Sequence, residues 1–137
     1  MNRDLYLALL ALDSYNRGPA ESNPKLNLQA PQIGNAVFQK DAFHQENGFY
    51  AASYKLADET VISYRGTDFS PTSDRIIDVK FGWSIAAGNF TPFSQVPDTI
   101  AFYKEITDKG LLDGPAPGVV MTGHSLGGGL ARIMHQV

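Results

Sequence analysis

Cysteine does not occur in this chain of 137 residues, which excludes disulfides and thiolate metal sites from it. Histidine is nearly as scarce: His44, His124 and His135 are scattered without a metal-ligand spacing, so zinc-centred hydrolysis is disfavoured and no cofactor is expected. Neither sign of charge dominates. Eleven Lys and Arg against 14 Asp and Glu leave a net charge of -3, which offers no electrostatic footprint for a nucleic-acid partner. No apolar run reaches transmembrane length, and the short Leu/Ala stretch after Arg3 and Asp4 is followed by no persuasive signal cleavage site. Localisation therefore stays open between the cytoplasm and export through a C-terminal signal. No internal repeat or low-complexity tract is present.

Along the chain, the apolar spacing predicts an opening helix over Asp4 to Tyr15, with Leu5, Leu9 and Leu12 on one stripe and Tyr6, Leu10 and Asp13 along a neighbouring row. Asn16-Arg17-Gly18-Pro19 breaks it. Residues 19–48 read as a long irregular polar segment with at most a short strand at Ala36-Val37-Phe38. Phe49 to Leu56 and Glu59 to Tyr64 are strands joined through an Ala57-Asp58 turn, a hairpin leading into a central sheet. Asp98 to Thr107 carries Ile100, Ala101, Tyr103 and Ile106 in a pattern that suits a helix packed on that sheet. Val119-Val120-Met121-Thr122 follows as a short buried strand, and Leu126 to Val137 as a helix. The order strand, helix, strand, helix is α/β.

The densest chemical information lies between those last two elements. Gly123-His124-Ser125-Leu126-Gly127 matches G-x-S-x-G where a strand meets a helix, the setting of a nucleophile elbow. A sharp strand-to-helix turn strains the nucleophile's backbone and leaves little space for neighbouring Cβ atoms, which Gly123, Gly127 and Gly128 satisfy. A serine hydroxyl also needs a general base, an orienting acid and donors for the developing oxyanion. The loop after Val61-Ile62-Ser63-Tyr64-Arg65-Gly66 can bring Thr67 beside the serine as one donor, and the backbone N–H of Leu126 is the other. Arg65 reads as half of a structural ion pair with Asp68, Asp74 or Asp78. The base is harder to find. A helix would carry His135 about 15 Å from Ser125. His124 points elsewhere if Ser125 holds the apex, and His44 suits a local structural role. The twelve residues after Ser125 contain neither Asp nor Glu.

Tyr64-Arg65-Gly66-Thr67 together with Val120-Met121-Thr122-Gly123-His124-Ser125-Leu126-Gly127-Gly128 resembles the class 3 lipase family of α/β-hydrolases, both motifs standing in the family's order. The resemblance is concentrated in residues 50–137. It implies the N-terminal part of an α/β-hydrolase, with a mostly parallel central sheet and helices on both faces, residues 1–137 being an incomplete domain that ends just after the elbow helix. It implies hydrolysis of acylglycerol or other acyl esters through an acyl-enzyme, with Ser125 as nucleophile, Thr67 and Leu126 at the oxyanion hole, and Gly123, His124 and Gly127 shaping the elbow. The Asp and His of the family's triad match nothing here. They are expected in the remaining part of the hydrolase domain, such as another chain, and residues 1–137 alone are expected to be catalytically silent.

The aromatic and glycine-rich stretch Phe81 to Phe93, including Trp83, Phe90 and Phe93, suits a lid or acyl-pocket wall, with core packing as the alternative. Two other functions share these residues: a non-catalytic hydrolase-like binding module, and a serine-dependent acyltransferase or thioesterase.

Overall fold

A computed structural model describes residues 2–17, 31–66 and 95–135. Thr67, Trp83, Phe90, Phe93 and the acidic residues Asp68, Asp74 and Asp78 lie outside them.

The chain opens with α1 (Arg3–Asp13), whose N-terminus is capped by the Asn2 side chain accepting from the Asp4 N–H at 3.0 Å. A short 3₁₀ turn, Ser14–Asn16, follows. Strands β1 (Gln32–Ile33), β2 (Ala36–His44), β3 (Phe49–Leu56) and β4 (Glu59–Tyr64) form an antiparallel series. The chain then passes through α2 (Val96–Thr107) to β5 (Val119–Gly123), which pairs parallel with β4, and ends in α3 (Leu126–His135). The result is one mixed sheet of order β1-β2-β3-β4-β5.

Helices cover both faces because β3 and β4 are buried along most of their length, Phe49 to Tyr54 and Val61 to Tyr64, and alternate side chains of a strand point to opposite faces. Phe49, Ala51, Ile62 and Tyr64 face Phe102 and Tyr103 of α2 and Leu130, Ala131 and Met134 of α3. Tyr50, Ala52, Tyr54 and Val61 face Leu10 of α1. Side-chain bonds to its carbonyls tie α1 to the strands beneath it: Ser63 Oγ donates to the Leu10 carbonyl at 3.0 Å and Thr122 Oγ1 to the Leu7 carbonyl at 3.2 Å.

Two details depart from the sequence expectations, and a third settles a choice the sequence left open. The sheet is mixed rather than mostly parallel among the described strands, since the segment expected to be irregular supplies β1 and a full-length β2 that zip up antiparallel beside β3. β2 is far longer than the three residues expected, its alternation being blurred by a register shift between Phe38 and Lys40. Of the two rows read on α1, that of Tyr6, Leu10 and Asp13 is the one turned to the sheet. Leu5 is 52% exposed while Leu10 is fully buried, with Tyr6 and Leu7 packed beside it. The helix carries overlapping apolar rows, and its orientation is decided by Asp13, which is buried, accepts from Tyr54 Oη at 2.7 Å and pairs with Arg17.

Candidate functional site

Ser125 stands between the end of β5 and the start of α3 with φ of 56°. A non-glycine residue in the left-handed region costs roughly 1–2 kcal/mol, and such a cost persists only where the surroundings impose it. They do so here through crowding. A Cβ on Gly127 would overlap the Tyr64 carbonyl, and one on Gly123 would overlap the Gly127 carbonyl, so the first turn of α3 lies directly against β4 and β5. The turn closes with Gly127 N–H donating to the His124 carbonyl and Gly128 N–H to the Ser125 carbonyl, each at 3.0 Å. Ser125 is left exposed at the apex. Leu126 opens the helix, so its backbone N–H has no acceptor within α3 and stands with the positive end of the helix dipole beside the serine.

The parallel register of β4 and β5, which sets Tyr64 opposite Gly123, carries the chain after β4 to the elbow. Arg65 and Gly66 follow. A Cβ on Gly66 would overlap the His124 carbonyl and sit 2.7 Å from Tyr15 Oη and 3.2 Å from Ser125 Cβ, so this loop lies against Ser125. Thr67 is the next residue along. Arg65 is 2% exposed, its guanidinium 4.9 Å from the Tyr50 ring centroid and 6.0 Å from that of Phe43, and its backbone N–H donates to the Tyr50 carbonyl at 3.0 Å. That is a packing role beneath the loop. The expected acidic partners of Arg65 lie outside the described residues.

Tyr15, which sequence reading passed over as the end of a helix, occupies the junction. Its hydroxyl accepts from the Gly66 N–H at 3.1 Å and lies 3.2 Å from His124 Nδ1, and the two rings meet edge to face with centroids 5.9 Å apart. Nothing local in the sequence marks it, because its partners come from β4 and the elbow.

The histidines do not converge on Ser125. His124 turns its Nδ1 to Tyr15. His44 lies on β2, with β3 and β4 between it and β5, which at about 4.8 Å per strand is some 14 Å away. Its Nδ1 lies 3.3 Å from Asp98 Oδ1 and its ring packs edge-on to Phe49, the local role expected for it. His135 is exposed in the last turn of α3. Among the described residues no imidazole is hydrogen bonded to Ser125, and no cluster of acidic or histidine side chains could hold a metal ion. The constellation thus has a strained, exposed serine, a helix N-terminus and an adjoining loop, which together can present a nucleophile and anion-stabilising donors to an acyl group.

Two grooves border β5, the end strand of the sheet among the described residues. One of about 670 Å³ runs past Val119 to Gly123 and Ala131, and one of about 470 Å³ lies between α1 and Thr122 to His124, lined by Leu7, Ala8, Ala11 and Leu12. No described helix is long and apolar enough to cross a membrane. No family model matches this chain, and no curated protein matches it.

Proposed function

We propose that the chain is the nucleophile-bearing part of a serine ester hydrolase of the class 3 lipase type, acting on acylglycerols or other acyl esters. The observation that carries this reading is the left-handed backbone of Ser125 at an exposed strand-to-helix apex, with the loop after β4 pressed against it. In the reaction, Ser125 Oγ attacks the acyl carbonyl as its proton passes to a histidine. The tetrahedral oxyanion is received by the Leu126 N–H and by Thr67, the alcohol leaves with the proton, and water repeats the sequence to release the acid. Trp83, Phe90 and Phe93 are assigned to the acyl site or its cover.

The histidine and its acid partner come, in this reading, from polypeptide that continues the sheet beyond β5, where further parallel strands complete an α/β-hydrolase. The grooves on both sides of β5 support that placement, because β5 is the end strand among the described residues and an unpaired strand edge is a template for pairing. The test is hydrolysis of p-nitrophenyl esters by the full-length protein and by Ser125→Ala. Activity that disappears in a folded S125A supports the proposal. Equal activity in the variant rejects Ser125 as nucleophile, and no activity in either leaves a binding module that has kept the elbow's shape.

A further inference from the structure

Gly66 N–H can only donate, so the Tyr15 oxygen is the acceptor of that bond. A phenol oxygen that accepts one bond can still donate its own proton, and Tyr15 is buried, at 3% exposure. His124 Nδ1, at 3.2 Å, is an acceptor of the right reach when the imidazole proton sits on Nε2. We propose that Tyr15 is a positioning residue of this site: a relay from Gly66 N–H through the Tyr15 hydroxyl to His124 Nδ1 binds the loop after β4 to the elbow and holds His124 as its Nε2–H tautomer. Each bond of the relay polarises the next in the same direction, so the two are stronger together than apart.

The support behind Tyr15 is stiff. Ser14 Oγ donates to the Ala11 carbonyl at 2.7 Å, closing the helix just before it, and α1 is fastened to β4 and β5 through Leu10 and Leu7. The hydroxyl also lies 2.7 Å from where a Cβ of Gly66 would be, with the His124 carbonyl closer still and Ser125 Cβ at 3.2 Å, so Gly66 is packed against all three. Donors for an oxyanion must be held to within about 0.5 Å. Gly66 immediately precedes Thr67 in sequence, so the relay fixes the described residue next to the proposed oxyanion donor. The kinetic consequence rests on the proposed ester hydrolysis, whereas the tautomer of His124 does not.

The experiment therefore has two arms on the full-length protein. In the first, ¹⁵N NMR of the imidazoles near neutral pH is expected to show His124 with a bare Nδ1 and a protonated Nε2. In Tyr15→Phe, which keeps the ring and deletes the hydroxyl, a mixture of tautomers is expected. In the second, Y15F is expected to lower kcat by about fivefold with KM unchanged, the loss matching one hydrogen bond of roughly 1 kcal/mol. The double variant with His124→Ala should fall no further than the larger single loss, since both remove the same link. A wild-type His124 protonated at Nδ1 overturns the relay, and does so even if Y15F fails to fold. A folded Y15F with unchanged kcat and an unchanged tautomer overturns it too. Lack of any Ser125-dependent hydrolysis would instead reject the proposed reaction, with the NMR arm still deciding the relay.

Discussion

Replacing Gly127 and Gly129 by alanine, one at a time, is expected to move stability in opposite directions although both lie in α3. In a helix interior alanine is preferred to glycine by about 0.8–1.0 kcal/mol, so the intrinsic gain is the same at the two positions. At Gly129 the new Cβ meets nothing within 4 Å, and most of that gain should be realised. At Gly127 the Cβ would overlap the Tyr64 carbonyl oxygen and lie 2.7 Å from its carbon and 2.9 Å from the Arg65 carbonyl carbon. These are backbone atoms of and just beyond β4, a strand paired on both sides, so no side chain can swing aside. Overpacking of this kind costs about 1–3 kcal/mol and occasionally more, and lifting α3 would loosen Leu130 and Met134 in the core as well. The expected changes are a gain of about 0.5–1 kcal/mol for Gly129→Ala and a net loss of about 1–2 kcal/mol or more for Gly127→Ala. Urea unfolding of the purified protein reads both as midpoint shifts at constant slope. Shifts of the same sign would refute the claim that backbone contact, rather than helix formation, dictates the glycines of this turn.

Ser125→Ala and Ser125→Gly should both abolish ester hydrolysis, with S125G the more stable by about 0.5–1 kcal/mol because only alanine keeps a Cβ in the left-handed region; equal unfolding midpoints would argue against strain at the elbow. Thr67→Val should lower kcat by about 10²-fold or more if its hydroxyl serves the oxyanion, and Thr67→Ser far less, as initial-rate kinetics on matched folded variants would show. Tyr50, Tyr54 and Tyr64 all have phenol pKa values raised above the ordinary range, chiefly by burial, with Asp41 beside Tyr50, Asp13 beside Tyr54 and Tyr103 beside Tyr64 adding to it. The unfolded chain loses these protons near pH 10 while the folded chain retains them, so stability should be intact below about pH 10 and fall above it by about 1.4 kcal/mol per pH unit for each tyrosine. Absorbance at 295 nm should show the three ionising only together with unfolding, and a smooth titration of all tyrosines in a folded protein would contradict it.

Much of this was legible in the chain itself, because the signals were local. The β3–β4 hairpin follows from two apolar runs separated by Ala57-Asp58, with Ala57 taking the positive φ the turn needs. The elbow follows from small residues required at fixed offsets around Ser125, and α2 and β5 from simple periodicity. What the tertiary structure alone decided were choices between locally equivalent options. Residues 36–44 have a polar, bulge-interrupted pattern that is a strand only because β3 offers an unpaired edge beside it. Helix α1 has leucines on several sides, and the buried bonds of Asp13 to Tyr54 and Arg17 select which row faces the sheet. Tyr15 acquires its place from partners 51 and 109 residues away. Periodicity and turn chemistry report on neighbours along the chain, whereas a hydroxyl shared between a loop and an elbow exists only once α1, β4 and β5 have packed.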